Sequence, residues 1–274
     1  MTHSAPDPAA LPDRAPGSNP NPGHGPAPRS APGPAAAPEP GRTPLADTVL
    51  ARVTEVFPTA ADPERAAGAA AYMKDVAPFL GIPTPLRRRL AREVPAGLPA
   101  PAERDCAAVA LGCWALPERE YHYFAADYLR RHVGRCGSGF LPVVLRLVTT
   151  VPWWDTVDTL AAHVVGPLVA ADPALRADMD RWIDDERLWV ARTALLHQLR
   201  HKERTDTDRL FGYCLRRADH PDFFIRKAIG WALREYARTD PDAVRHFLAG
   251  ARGRLSPLSV REAAKHLGPL PPPA

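Results

Sequence analysis

Paired cysteines, metal-ligand spacings and long apolar runs are all missing from this chain, and each absence removes a class of protein. The four cysteines, Cys106, Cys113, Cys136 and Cys214, include no C-x-x-C pair, and no histidines stand at the spacing that completes a zinc pattern. They read as free thiols of a cytoplasmic protein. The ten histidines form no H-E-x-x-H set, so no metal is expected. There is no P-loop, no G-x-G-x-x-G fingerprint and no G-x-S-x-G elbow, and no cofactor is expected. No stretch reaches the ~18 apolar residues of a membrane span, and no h-region of a secretory signal exists. Alternating Val/Ile/Thr runs between Asn-Gly or Asp-Gly turns are also lacking, which leaves little room for a sheet.

Proline, alanine and glycine dominate the first 43 residues, where Met1 and Leu11 are the only large apolar side chains. Such a segment buries too little surface to offset its ordering entropy, so residues 1–43 read as a disordered tail and residues 44–274 as one folded domain. Net charge is +4 with a pI near 9.0, which permits a polyanionic partner without requiring one.

Helix starts recur along the domain. Thr84-Pro85, Asp172-Pro173, Pro221-Asp222, Asp240-Pro241 and Ser256-Pro257 place a capping side chain or a proline at a first turn, and Asp185-Glu186 and Asp208 offer further starts. After Leu116-Pro117, the residues Tyr121, Phe124, Ala125 and Tyr128 share one face at a 3.6-residue period. The pattern predicts about twelve helices of ~10–16 residues with short connections. This is an all-α fold, either a stacked solenoid of degenerate repeats or an irregular bundle.

Three places carry chemistry. On a helix over residues 223–238, Ile225, Ile229, Ala232 and Tyr236 form the core side, with Ala228 and Leu233 flanking; Lys227, Trp231, Arg234 and Arg238 fall opposite. Those four are either a solvated charged face with a stray tryptophan or a nucleic-acid surface, where cations meet phosphates and the indole meets a sugar or base. In Trp153-Trp154-Asp155-Thr156-Val157-Asp158, Trp153, Val157, Leu160 and Val164 line up as core while Trp154 and Asp158, four apart, share another side. Asp158 either pairs with a neighbouring helix or is a carboxylate in an aromatic-walled cleft, suited to a cationic transition state. Arg192 lies on the apolar side with Leu188, Leu195 and Leu199, so it needs a partner: an acid, or a phosphate at the edge of the core. Arg87-Arg88-Arg89 and His201-Lys202-Glu203-Arg204 are weaker basic candidates, and Tyr72 fits a core aromatic.

Several strings in one order resemble the AlkD-like DNA alkylation repair family: Tyr72-Met73-Lys74 with Phe79-Leu80-Gly81-Ile82, Glu118-Arg119-Glu120-Tyr121, Trp153 to Asp158, Arg192 to His197, and Phe223 to Tyr236. The similarity covers about Leu50 to Leu267. It implies a superhelical solenoid of HEAT-like repeats with a positively charged concave surface. It also implies a monomeric glycosylase of base excision repair, localised to the cytoplasm and nucleoid. Its partner would be double-stranded DNA carrying N3- or N7-alkylated purines, with no membrane. By the same resemblance, Asp158 matches the catalytic aspartate, Trp154 and Trp231 the aromatics against the lesion's deoxyribose, Arg192 and Arg234 backbone-contacting arginines, and Tyr72 a tyrosine near the lesion. Two other classes stay open: a non-catalytic binder of damaged DNA, and a protein-interaction scaffold.

Overall fold

The computed structural model describes residues 41–251 and 253–268. The expected tail lies almost wholly outside them. Among the described residues every regular element is helical. The α-helices are α1 (Pro44–Val56), α2 (Pro63–Tyr72), α3 (Thr84–Glu93), α4 (Glu103–Trp114), α5 (Arg119–His132), α6 (Leu141–Thr149), α7 (Trp154–Leu160), α8 (Gly166–Ala171), α9 (Arg176–Trp182), α10 (Leu188–Leu196), α11 (Thr207–Arg216), α12 (Phe223–Tyr236), α13 (Pro241–Ala251) and α14 (Pro257–Ala263). No helix is long and apolar enough to cross a membrane.

Capping chemistry explains many of the boundaries. Asp62, Asp206, Asp222 and Ser256 each accept a hydrogen bond from a backbone N–H of the first turn, which satisfies a donor that has no intrahelical partner. Two expected starts move by a residue or two. Thr84 is the first residue of α3, with Pro83 at the cap, and Asp206 caps the helix that contains Asp208. Thr43 belongs with α1: its hydroxyl accepts from Ala46 N–H at 3.1 Å and it is nearly buried. The count exceeds twelve partly because one long helix is interrupted. Between α7 and α8 a π turn, Ala161–Val165, carries the Gly166 N–H back to the Ala161 carbonyl. Pro167 has no N–H to continue an α-type ladder at that point.

The helices form successive pairs, α4/α5, α6/α7–α8, α9/α10 and α11/α12, followed by α13 against α12, and the inner helices stack on one another in the order α5, α7, α10, α12, α14. This is a helical solenoid, and one continuous apolar core runs through it from Ala46 to Leu267. The densest contact is α12 on α14. Gly230 makes it possible, since a Cβ there would meet the Glu262 Cβ at 2.4 Å and the Ser259 carbonyl oxygen at 2.9 Å. The inner row of second helices carries nearly every residue singled out above, so the repeat itself brings them to one side of the molecule.

Candidate functional site

Asp158 and Arg192, each in need of a partner, are each other's partner. The Arg192 guanidinium on α10 donates from Nε to Asp158 Oδ1 at 2.7 Å and from Nη2 to Oδ2 at 2.8 Å, a two-pronged pair from α10 to α7. Its remaining nitrogen, Nη1, donates to the Phe224 carbonyl in the first turn of α12. One guanidinium thus joins three inner helices. Asp158 is 1% exposed and Arg192 4%. Burial pushes the Asp158 carboxyl above its ordinary range; the Arg192 charge pulls it back only in part, and Asp155 adds to the rise.

Trp154, one turn before Asp158, is half-buried. It lies on a small apolar cluster with Met73, Phe79 and Tyr123. Trp153 departs from expectation. It is the N-cap residue of α7, with extended backbone at φ −153° and ψ 160°, so a helical wheel does not apply to it. Instead of entering the core with Val157, Leu160 and Val164, its ring is half-buried and sits 5.6 Å from Trp189 and 5.1 Å from Phe224. Phe224 in turn lies beneath Arg192, whose guanidinium carbon is 5.9 Å from the ring centroid. Phe224 thus joins the Arg192 guanidinium to a cluster of three rings, Trp153, Trp189 and Phe224.

A second buried network lies beside it, and sequence reasoning did not identify it. Arg119, fully buried on α5, donates to Asp155 (Nε to Oδ2, 3.1 Å), to Thr156 Oγ1 (2.9 Å) and to the Val151 carbonyl (2.8 Å). The Tyr123 hydroxyl donates to the same carboxylate at 2.6 Å. Next to Arg119, the Glu120 carboxylate accepts backbone N–H bonds from Leu80, Gly81 and Ile82 at 2.8–3.2 Å. That bond set fixes the loop after α2, where Lys74 and Asp75 take left-handed φ of 60° and 54° and end the helix just beyond Tyr72. Gly81 has φ +82° and leaves no room for a Cβ against the Asp62 carbonyl. Tyr72 is 46% exposed, so it is not the core aromatic its spacing fitted. The sequence signal was present in Arg119-Glu120, two charges directly before the apolar stripe of α5, but charge type alone does not name the partners.

The α12 residues need correction. Ile225, Ala228, Ile229, Ala232 and Leu233 are buried as the periodicity predicts. The opposite face, however, is not open. Helix α14 covers it, and the Glu262 carboxylate accepts from Lys227 Nζ at 2.8 Å and from Arg234 Nη1 at 2.9 Å, with Lys265 at 2.9 Å. Burial alone would raise the Glu262 pKa, but the hydrogen bonds and charges of Lys227 and Lys265 bring it down to about 2. Trp231 is half-buried against the main core and is not a free-standing ring among cations. Arg238 pairs with Glu235 at 3.5 Å. Lys227, Trp231 and Arg234 are thus brought together, but with an acid at their centre that lies 28 or more residues away in sequence.

Among the described residues no cluster of His, Cys, Asp or Glu is arranged to hold a metal ion. Of the buried carboxylates there, Asp155 and Asp158 are engaged by arginines and Glu120 by backbone N–H groups, so the chemistry they offer is electrostatic. A family model described as DNA alkylation repair enzyme matches residues 53–267. A solved structure, a predicted DNA alkylation repair enzyme from Enterococcus faecalis, is similar with a TM-score of 0.70 and 32% identity, covering 76% of this chain and 97% of that one. No curated protein matches.

Proposed function

Because the chain belongs to the DNA alkylation repair enzyme family, we propose that it is a DNA glycosylase that hydrolyses the N-glycosidic bond of cationic N3- and N7-alkylated purines in duplex DNA. The observation that carries this reading is the Asp158–Arg192 pair: a carboxylate kept in a desolvated site with a raised pKa, one helical turn from the half-buried Trp154 ring. Burying a charge in this way is expensive and is a feature of functional sites.

The chemistry asks little else of the protein. An alkylated purine already carries a positive charge and leaves as a neutral base, so no general acid is required. The sugar left behind is oxocarbenium-like, and the Asp158 carboxylate stabilises that charge and orients the attacking water. The rings of Trp154 and Trp231 add cation–π attraction, worth up to ~2 kcal/mol when desolvated. Arg192 holds the carboxylate in orientation; on binding, one of its nitrogens turns to a phosphate oxygen beside the lesion, which opens Asp158 to the sugar. Contact with sugar and phosphates in place of a deep base pocket makes base flipping unnecessary. Tyr72 lies exposed at the end of α2, where it contacts the lesion strand, and Lys227, Arg234 and Arg238 contribute positive charge along α12.

The near-complete burial of Asp158 also favours a second reading, in which the pair is purely structural and the chain binds damaged DNA without cutting it. A duplex carrying 7-alkylguanine separates the two. Release of free base by the wild-type chain, and its loss in Asp158→Asn, supports the enzyme; binding without release supports the binder.

A further inference from the structure

Beyond the α12 cations, a second basic feature lies at the C-terminal ends of the inner helices. It is a solvent-open cleft of about 510 Å³ whose lining includes Arg130 of α5, His163 of the π turn, and Arg200, His201 and Arg204 after α10. No carboxylate lines it. Arg200 and Arg204 make no ion pair among the described residues. Asp127, which acts on His163, is divided between Arg87 at 3.1 Å and Arg130 at 3.5 Å. Burial, then Arg200 and Arg130, hold the His163 imidazole down at about 4 against Asp127. Burial, then Arg204 and Arg176, lower His201. Burial and the surrounding cations together thus hold both imidazoles below their ordinary pKa.

The position of the cleft is informative. The π turn puts His163 on the cleft wall, and such turns are frequent at functional positions. At ~1.5 Å per helical residue, His163 is roughly 7 Å along the chain axis from Asp158, and Arg200 lies in the turn that follows the helix carrying Arg192. Each strand of duplex DNA carries one charge per ~3.4 Å of axis, so a strand whose sugar meets Asp158 presents about two phosphates over that span. Lys227 and Arg234, by contrast, already share Glu262.

We propose that this cleft binds the phosphodiester backbone flanking the lesion, with Arg200 and Arg204 meeting phosphate oxygens and His163 and His201 framing the wall. The proposal rests on the DNA repair reading and adds the place where the duplex is gripped.

The test uses the full chain and the double variant R200Q/R204Q. Both side chains are exposed, so the thermal transition should not move. On an undamaged duplex, the slope of log K against log salt should become shallower by about 1.8, at ~0.9 per lost contact, with affinity tenfold to a hundredfold weaker near 0.1 M salt. R200K/R204K should keep most of the wild-type slope. R181Q/R216Q, on the outer helices α9 and α11, should leave it unchanged. An unchanged slope in R200Q/R204Q, or an equal loss in R181Q/R216Q, overturns the proposal. A wild-type chain that shows this slope dependence but releases no base keeps the cleft and removes only the hydrolytic reading.

Discussion

Asp158 and Glu262 are each held by cations from a neighbouring inner helix, yet the two carboxylates are perturbed in opposite directions. Asp158 is sealed between α7 and α10, and burial outweighs its arginine, so its pKa rises. Glu262 lies between α12 and α14 at a wetter edge, where Lys227 and Lys265 outweigh burial and bring it to about 2. A group with a raised folded pKa adds stability below its unfolded value and loses that contribution as pH rises through the folded value; for a lowered one, the contribution is present above the unfolded value and lost as pH falls. At neutral pH, Glu262 therefore supports the fold, while ionised Asp158 is held against its preference by surrounding structure. One pair behaves as a fastening, the other as a site under electrostatic load.

Removing each charge is the sharpest way to break the comparison. Asp158→Asn should keep duplex affinity but lower base release by about 10²-fold or more, the scale for losing a preorganised electrostatic stabiliser. Wild-type release should also fall on acidification at a pH above the ordinary carboxylate range, in the direction of the Asp158 shift; a pH profile that stays flat down to that range would detach the carboxylate from the reaction. Next in size is stability. Arg192→Ala leaves a buried carboxylate unpaired and should cost about 3–5 kcal/mol by denaturant unfolding. Glu262→Gln should cost at most about 1 kcal/mol at neutral pH, because its partners are partly solvated, and should strengthen duplex binding by freeing Lys227, Arg234 and Lys265. Equal losses in the two variants would erase the distinction. In wild type, the Glu262 contribution should fade as pH drops from about 4.5 toward 2, which thermal melts at stepped pH can follow.

Two packing predictions are smaller. Gly230→Ala drives a methyl group into the Glu262 Cβ and the Ser259 backbone, and should cost about 1–3 kcal/mol. Truncation at the start of the chain should separate cap from tail: deleting residues 1–43 removes the Thr43 cap of α1 and should cost ~1 kcal/mol more than deleting residues 1–40.

What the sequence made legible follows the range of the interactions. Helix class, caps such as Asp222 and Ser256, and the buried stripe of α12 depend on neighbours within a turn or two, and periodicity reports them. The need of Arg192 for an anionic partner, acid or phosphate, was also readable, since a cation on an apolar face is costly. Its partner was not, because Asp158 is 34 residues away and only the stacking of α7 on α10 joins them. The same limit hid Glu262 from the α12 wheel, which treats a helix as having one covered side when the solenoid covers two. Trp153 was misplaced for a different reason: the wheel was extended one residue past the helix, into the extended N-cap.

The central claim is that Asp158 is the group that stabilises the departing-base transition state. Single-turnover release of 7-alkylguanine from duplex DNA, with wild-type and Asp158→Asn chains at saturating protein, tests it most directly. The account predicts release by wild type, a loss of about 10²-fold or more in the variant, and similar duplex affinity for both. Equal release by the two chains would contradict it.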